Sequence, residues 1–79
     1  MAKFSKSIVE QWRGRAAEWL SERALSLGDV KSGRDAWTVA HMTGITRDAY
    51  LDRSVVDAHI QTALAQIFPN AAFRDAKRY

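Results

Sequence analysis

The 79-residue sequence contains no cysteine. Disulfide staples and thiolate-held zinc are therefore excluded, and stability must come from packing or from partners. One proline and four glycines punctuate the chain, so helical segments can run far between stop signals. No apolar run approaches the roughly 20 residues of a membrane-spanning helix. The basic start, Met1 to Ser7, has no apolar stretch behind it of the kind a secretory signal carries. The sequence thus predicts no membrane partner, and a cytoplasmic location is the default expectation. Neither sign of charge dominates: 12 Lys and Arg stand against 9 Asp and Glu, for a net charge of +3. That mild surplus permits an acidic protein partner or nucleic acid and demands neither.

Reactive constellations are also scarce. His41 and His59 are the only histidines, and their spacing is not that of ligands on a metal-binding helix. Asp57 and His59 lie two positions apart and so point different ways on a helix. Ser54, Asp57 and His59 on one helix cannot converge as a nucleophilic triad requires. No glycine-rich phosphate loop is present. A chain this short also struggles to enclose a pocket of a few hundred Å³. The expectation is a protein with no catalytic residues, no metal, no cofactor and no small-molecule substrate.

Hydrophobic residues make up 47% of the chain, including three Trp, three Phe and two Tyr. That is enough for one folded domain over residues 1–79 and too much for a disordered segment. Residues Val9, Trp12, Ala16, Leu20, Ala24 and Leu27 recur at gaps of three and four, with Ile8 and Trp19 alongside. They predict a first amphipathic helix from about Lys6 to Leu27. Ser5 is one candidate cap, with Phe4 and Val9 as a hydrophobic staple; Ser7 with Glu10 is the other. Gly14 suggests a close helix crossing, and Gly28 a left-handed end. Ser32 caps the next predicted helix, from about Arg34 to Thr43, with Asp35 as the acidic member of the box. Its inward residues should be Trp37, Ala40 and either Val39 or His41. Gly44 ends it, and Thr46 is expected to cap a short helix from Arg47 to about Leu51. Ser54 and Asp57 then form a box for a last helix from about Val55 to Phe68, striped by Val56, Ile60, Ala63, Leu64 and Ile67. Pro69 stops it. A minor hairpin around Val30 or residues 71–73 is the one non-helical alternative. The fold class is all-α: three to four helices, the two long ones packed together and bridged by a short pair.

The stretch AWTVAHMTGITRDAYLDRSV, from Ala36 to Val55, resembles bacterial helix-turn-helix DNA-binding proteins. Ala40 stands where that pattern places a small residue at the helix crossing, Gly44 in the turn, and Ile45 after it. The resemblance implies a recognition helix with Arg47, Asp48, Leu51 and Asp52 on its outer face. The chain departs from the pattern at Thr43, Arg53 and Ser54, where apolar residues are usual, and Tyr50 replaces an aliphatic residue. Asp48 and Asp52 would repel phosphates. Candidate phosphate-binding residues are Lys31, Arg34, Arg47, Arg53, Arg74, Lys77 and Arg78. Phe73 and Tyr79 could stack on bases or pack as anchors.

Trp12 and Trp19 lie two helical turns apart and share a face. They are either core or an interface, and Trp37 adds a third ring. With Arg15 they form the candidate protein-binding set. Two functions follow. The first is a binding module that docks on a larger protein or nucleoprotein complex, or pairs with itself, as adaptor or inhibitor. The second is a small DNA-binding accessory protein.

Overall fold

A computed structural model describes residues 3–73. Within them the chain forms four α-helices: α1 (Lys6–Ser21), α2 (Gly33–Met42), α3 (Ile45–Ala49) and α4 (Asp57–Ile67). A single 3₁₀ turn, Leu27–Asp29, precedes α2. The all-α bundle expected from periodicity is the fold observed.

Of the two caps open for α1, Ser5 is used: its hydroxyl accepts the Ile8 N–H at 3.2 Å. Phe4 packs on the core and meets Trp12 edge-on, ring centroids 4.8 Å apart. Val9, Trp12, Ala16 and Leu20 are the buried stripe. The helix stops at Ser21, well short of Leu27. There the Leu25 N–H reaches back to the Leu20 carbonyl at 2.9 Å, enclosing the Ala24 N–H to Ser21 bond at 3.0 Å. This nested pair is a Schellman ending, with Ala24 rather than a glycine in the left-handed position, at φ 61°. Gly28 instead lies in the 3₁₀ turn, so it is not the left-handed residue the sequence suggested. Gly14 marks no close crossing either, because a Cβ there would meet nothing within 4 Å.

Ser32 caps α2 as expected, accepting the Asp35 N–H at 3.0 Å. Gly33, Ala36, Val39 and Ala40 face inward, while His41 is exposed and Trp37 half-buried. Gly44 ends α2 in the left-handed region at φ 80° and also begins α3, its carbonyl accepting the Asp48 N–H at 3.0 Å. Thr46 is therefore not a cap; it is a buried residue of α3. The start of α4 also differs from expectation. Asp52 takes both the Ser54 hydroxyl (2.7 Å) and its N–H (2.9 Å). These bonds hold the Asp52 carboxyl below the usual carboxylate range, with Lys3 adding to the effect. Ser54 is thus drawn away from the helix, and His59 Nδ1 accepts the Val56 N–H at 3.1 Å instead. Val56, expected in the buried stripe, is 54% exposed.

The core is one cluster. Leu20, Ile45, Ile60, Leu64, Ile67 and Phe68 are its largest fully buried members. α1 packs on α4, and α2 packs on both α3 and α4. Arg13 reinforces the first contact by donating to the Gln66 carbonyl at 2.8 Å. Residues 31–33 and 72 pair, but as a single parallel bridge between distant segments rather than a hairpin. The Ala72 N–H donates to Lys31 at 3.0 Å and the Gly33 N–H to Ala72 at 2.8 Å. The Asn70 side chain donates to the Gly28 carbonyl at 2.9 Å beside it. The Cα radius of gyration is 11.5 Å, against about 11–12 Å for a compact chain of this length. No helix among the described residues is long and apolar enough to cross a membrane.

Candidate functional site

Helix α2 has two working faces. Ala36, Val39 and Ala40 enter the core. Arg34, Trp37, Thr38, His41 and Met42 follow one another at gaps of three, one, three and one, so they form a second continuous stripe along the outside. The left-handed turn at Gly44 then folds α3 back beside that stripe. Thr46 and Tyr50 of α3, with Asp57 from the start of α4, complete a cleft of about 430 Å³. An adjoining depression of about 330 Å³ continues past the end of α2, lined by His41, Met42, Thr43, Gly44, Thr46 and Arg47. His41, Met42 and Thr46 line both hollows, so the two adjoin, and together they are the α2–α3 groove.

Its surface is mixed. Met42 is 59% exposed and Tyr50 44%, although both are large and largely apolar. The Tyr50 hydroxyl donates to the Asp57 carboxylate. Partial burial, and then the bond to Asp57 and its charge, push the phenol up to about 12. Tyr50 is thus a neutral donor fixed against α4 at ordinary pH. No group of three or more His, Asp or Glu side chains converges on a metal-sized site among the described residues.

The residues expected on a protein-binding surface separate. Trp12 is only 5% exposed and belongs to the core, so it is no surface anchor. Trp19 is half-buried, with the Arg23 guanidinium 3.7 Å above its ring. Arg15 is occupied: it pairs with Asp48 at 2.8 Å and donates to the Thr43 carbonyl at 3.4 Å, tying α1 to the turn and to α3. Only Trp37 lines the groove.

The cations separate in the same way. Arg34 lines the cleft and Arg47 the depression. Lys31 and Arg53 are exposed but line neither hollow. Arg74, Lys77 and Arg78, with Tyr79, lie outside the described residues. Of the outer face expected for α3, Arg47 and Leu51 are exposed, but Asp48 turns to Arg15, and Asp52 holds Ser54 and Lys3 (3.5 Å). Thr38 and Met42 carry no mark in the sequence reading, and Thr46 and Tyr50 enter it only as a cap and as a position of the turn pattern. The signal was present as the spacing from Arg34 to Met42, but its mixed polarity gives no hydrophobic stripe to count. No protein-family model, curated protein or solved structure matches the chain.

Proposed function

We propose that this chain is a small non-enzymatic binding module that docks on a larger protein, as adaptor or inhibitor, through the α2–α3 groove. One observation carries the reading. Trp37, Met42 and Tyr50 line an open cleft, while the stripes of α1 and α4 close over the core. Aromatic residues, Met and Arg are the types enriched in protein interfaces, and Trp, Tyr and Arg dominate their hot spots.

A DNA-binding role is the second reading. It draws support from the packing of the turn: Ala40 and Ile45 fully buried, Gly44 left-handed, and Arg47 exposed beyond it. Its weakness is α3 itself, which is five residues long with Asp48 beside its one arginine. A helix little longer than one turn offers few side chains to a groove.

Site-specific photo-crosslinking in the source cell extract tests the choice. A crosslinker at Met42 should capture one protein, and nuclease treatment should not abolish the capture. The same group at Gln11, exposed on α1, should capture nothing in common with it. Capture of a second copy of the chain from Met42 would make the role self-association. Equal capture from both positions, or capture that needs nucleic acid, would overturn protein docking at this groove.

A further inference from the structure

We propose that the occupant of the groove is an acidic amphipathic segment of a partner protein, its apolar residues seated between Trp37, Met42 and Tyr50 and its carboxylates meeting Arg34 and Arg47. This rests on the docking reading above and names the chemistry of the partner.

The argument is one of charge placement. Arg34 stands on the cleft near the start of α2, and Arg47 on the depression past its end. The stripe from Arg34 to Met42 alone covers roughly 12 Å of helix. Among the described residues Arg34 makes no ion pair. Arg47 lies 3.9 Å from Asp48, but Arg15 holds that carboxylate at 2.8 Å, and the Arg47 side chain remains 83% exposed. Asp57 is the only carboxylate lining the cleft among the described residues, and it receives the Tyr50 hydroxyl. Among the described residues the cations lining the two hollows are thus Arg34 on one and Arg47 on the other, and the floor between them is aromatic, thioether and threonine, with the Asp57 carboxylate at its border.

An acidic segment with an apolar centre matches this pattern at both ends. A basic segment is repelled at both. A phosphate backbone calls for cations along its track, whereas here Met42 and Thr38 occupy the middle and Asp57 borders it. Helix-in-groove docking supplies a suitable form, with apolar anchors one turn apart and carboxylates two to three turns apart.

Fluorescence anisotropy tests the inference with synthetic peptides about four helical turns long. One carries Leu and Phe on one face flanked by Glu. Two others replace every Glu by Gln or by Lys. A single-stranded and a duplex oligonucleotide complete the set. The Glu peptide should bind tightest, about tenfold better than the Gln peptide, and the Lys peptide should not bind. R34E and R47E should each weaken the Glu peptide about fivefold and improve the Lys peptide. Both side chains are exposed, and circular dichroism verifies that the variants fold. Equal binding of the Glu and Gln peptides, both lost in Met42→Asp, would overturn the acidic partner while leaving protein docking intact. No peptide binding above the Met42→Asp background would likewise overturn it, and protein docking then rests on the crosslinking result. An oligonucleotide that displaces the Glu peptide and loses affinity in R47E would replace it with nucleic acid.

Discussion

Trp12 and Trp37 belong to the same small domain and meet opposite surroundings. Trp12 is sealed between α1, Phe4 and the core, whereas Trp37 lines an open groove. Their helices explain the difference. α1 has one apolar stripe and α4 covers it. α2 has two stripes; α3 and α4 cover the one made of Ala36, Val39 and Ala40, and the other lines the groove. Chemical type does not decide whether an aromatic ring is sealed in the core or lines a groove. The number of faces its helix must serve, and of elements available to cover them, does.

The largest expected effect breaks the comparison on its buried side. Leu64→Ala removes a fully buried side chain and should cost about 2–5 kcal/mol, a large share of the stability of a domain this small. Met42→Ala, in the groove, should change stability by less than about 0.5 kcal/mol. Urea unfolding of the two variants measures the contrast. Equal losses would mean that the groove is part of the core.

The two left-handed residues sharpen it next. At Gly44, φ 80° is strained for any L-residue, and a Cβ would come within 3.4 Å of the Arg47 guanidinium. Gly44→Ala should destabilise by about 1–2 kcal/mol and disturb the groove. At Ala24 the reverse holds: Ala24→Gly relieves φ 61° and should stabilise by about 0.5–1 kcal/mol after the added freedom of the unfolded chain is counted. Peptide binding should fall in the first variant and stay constant in the second.

The smallest effect is one of pH. The Tyr50 phenol rises to about 12 in the folded chain, against about 10 when unfolded. The folded state therefore binds more protons between those values. Its contribution to stability is complete below pH 10 and is lost as pH rises toward 12. Tyr50→Phe should flatten that part of the curve. The difference between the denaturation midpoints of the two proteins should shrink from pH 9 to pH 11.5, and an unchanged difference would mean that Tyr50 titrates freely.

Much of the buried side was legible in the sequence, because spacing alone reports a stripe that has one partner. Val9, Ala16 and Leu20, and Ile60, Ala63, Leu64 and Ile67, are legible as the facing surfaces of α1 and α4, whereas Trp12 lies in the same stripe but the sequence also allowed it a binding surface. Ser32 and Gly44 also held the positions their chemistry suggested. The readings that failed were of local endings. Ala24 and Leu27 continue the period of α1, and nothing about an alanine announces a left-handed residue. Ser54 had two possible partners, and Asp52 won over the first turn of α4. Of the residues lining the candidate site, Trp37 is marked by the sequence as a protein contact, but beside Trp12, Trp19 and Arg15, and Arg34 and Arg47 are marked only as phosphate contacts, beside Lys31 and Arg53; Thr38 and Met42 carry no such mark.

The sequence by itself determined the helical class, the two stripes that close on each other and the position of the turn, because each depends on residues within a few steps of one another. Tertiary structure alone decided that Arg15 is consumed by Asp48, that residues 31–33 join residue 72, and that the outer stripe of α2 becomes the wall of a groove. Those outcomes join segments far apart in the chain. The Arg15–Asp48 pair and the groove wall depend on how α3 folds back at Gly44, and the bridge to residue 72 on how the chain after α4 returns to the start of α2; no local pattern of residue types encodes either.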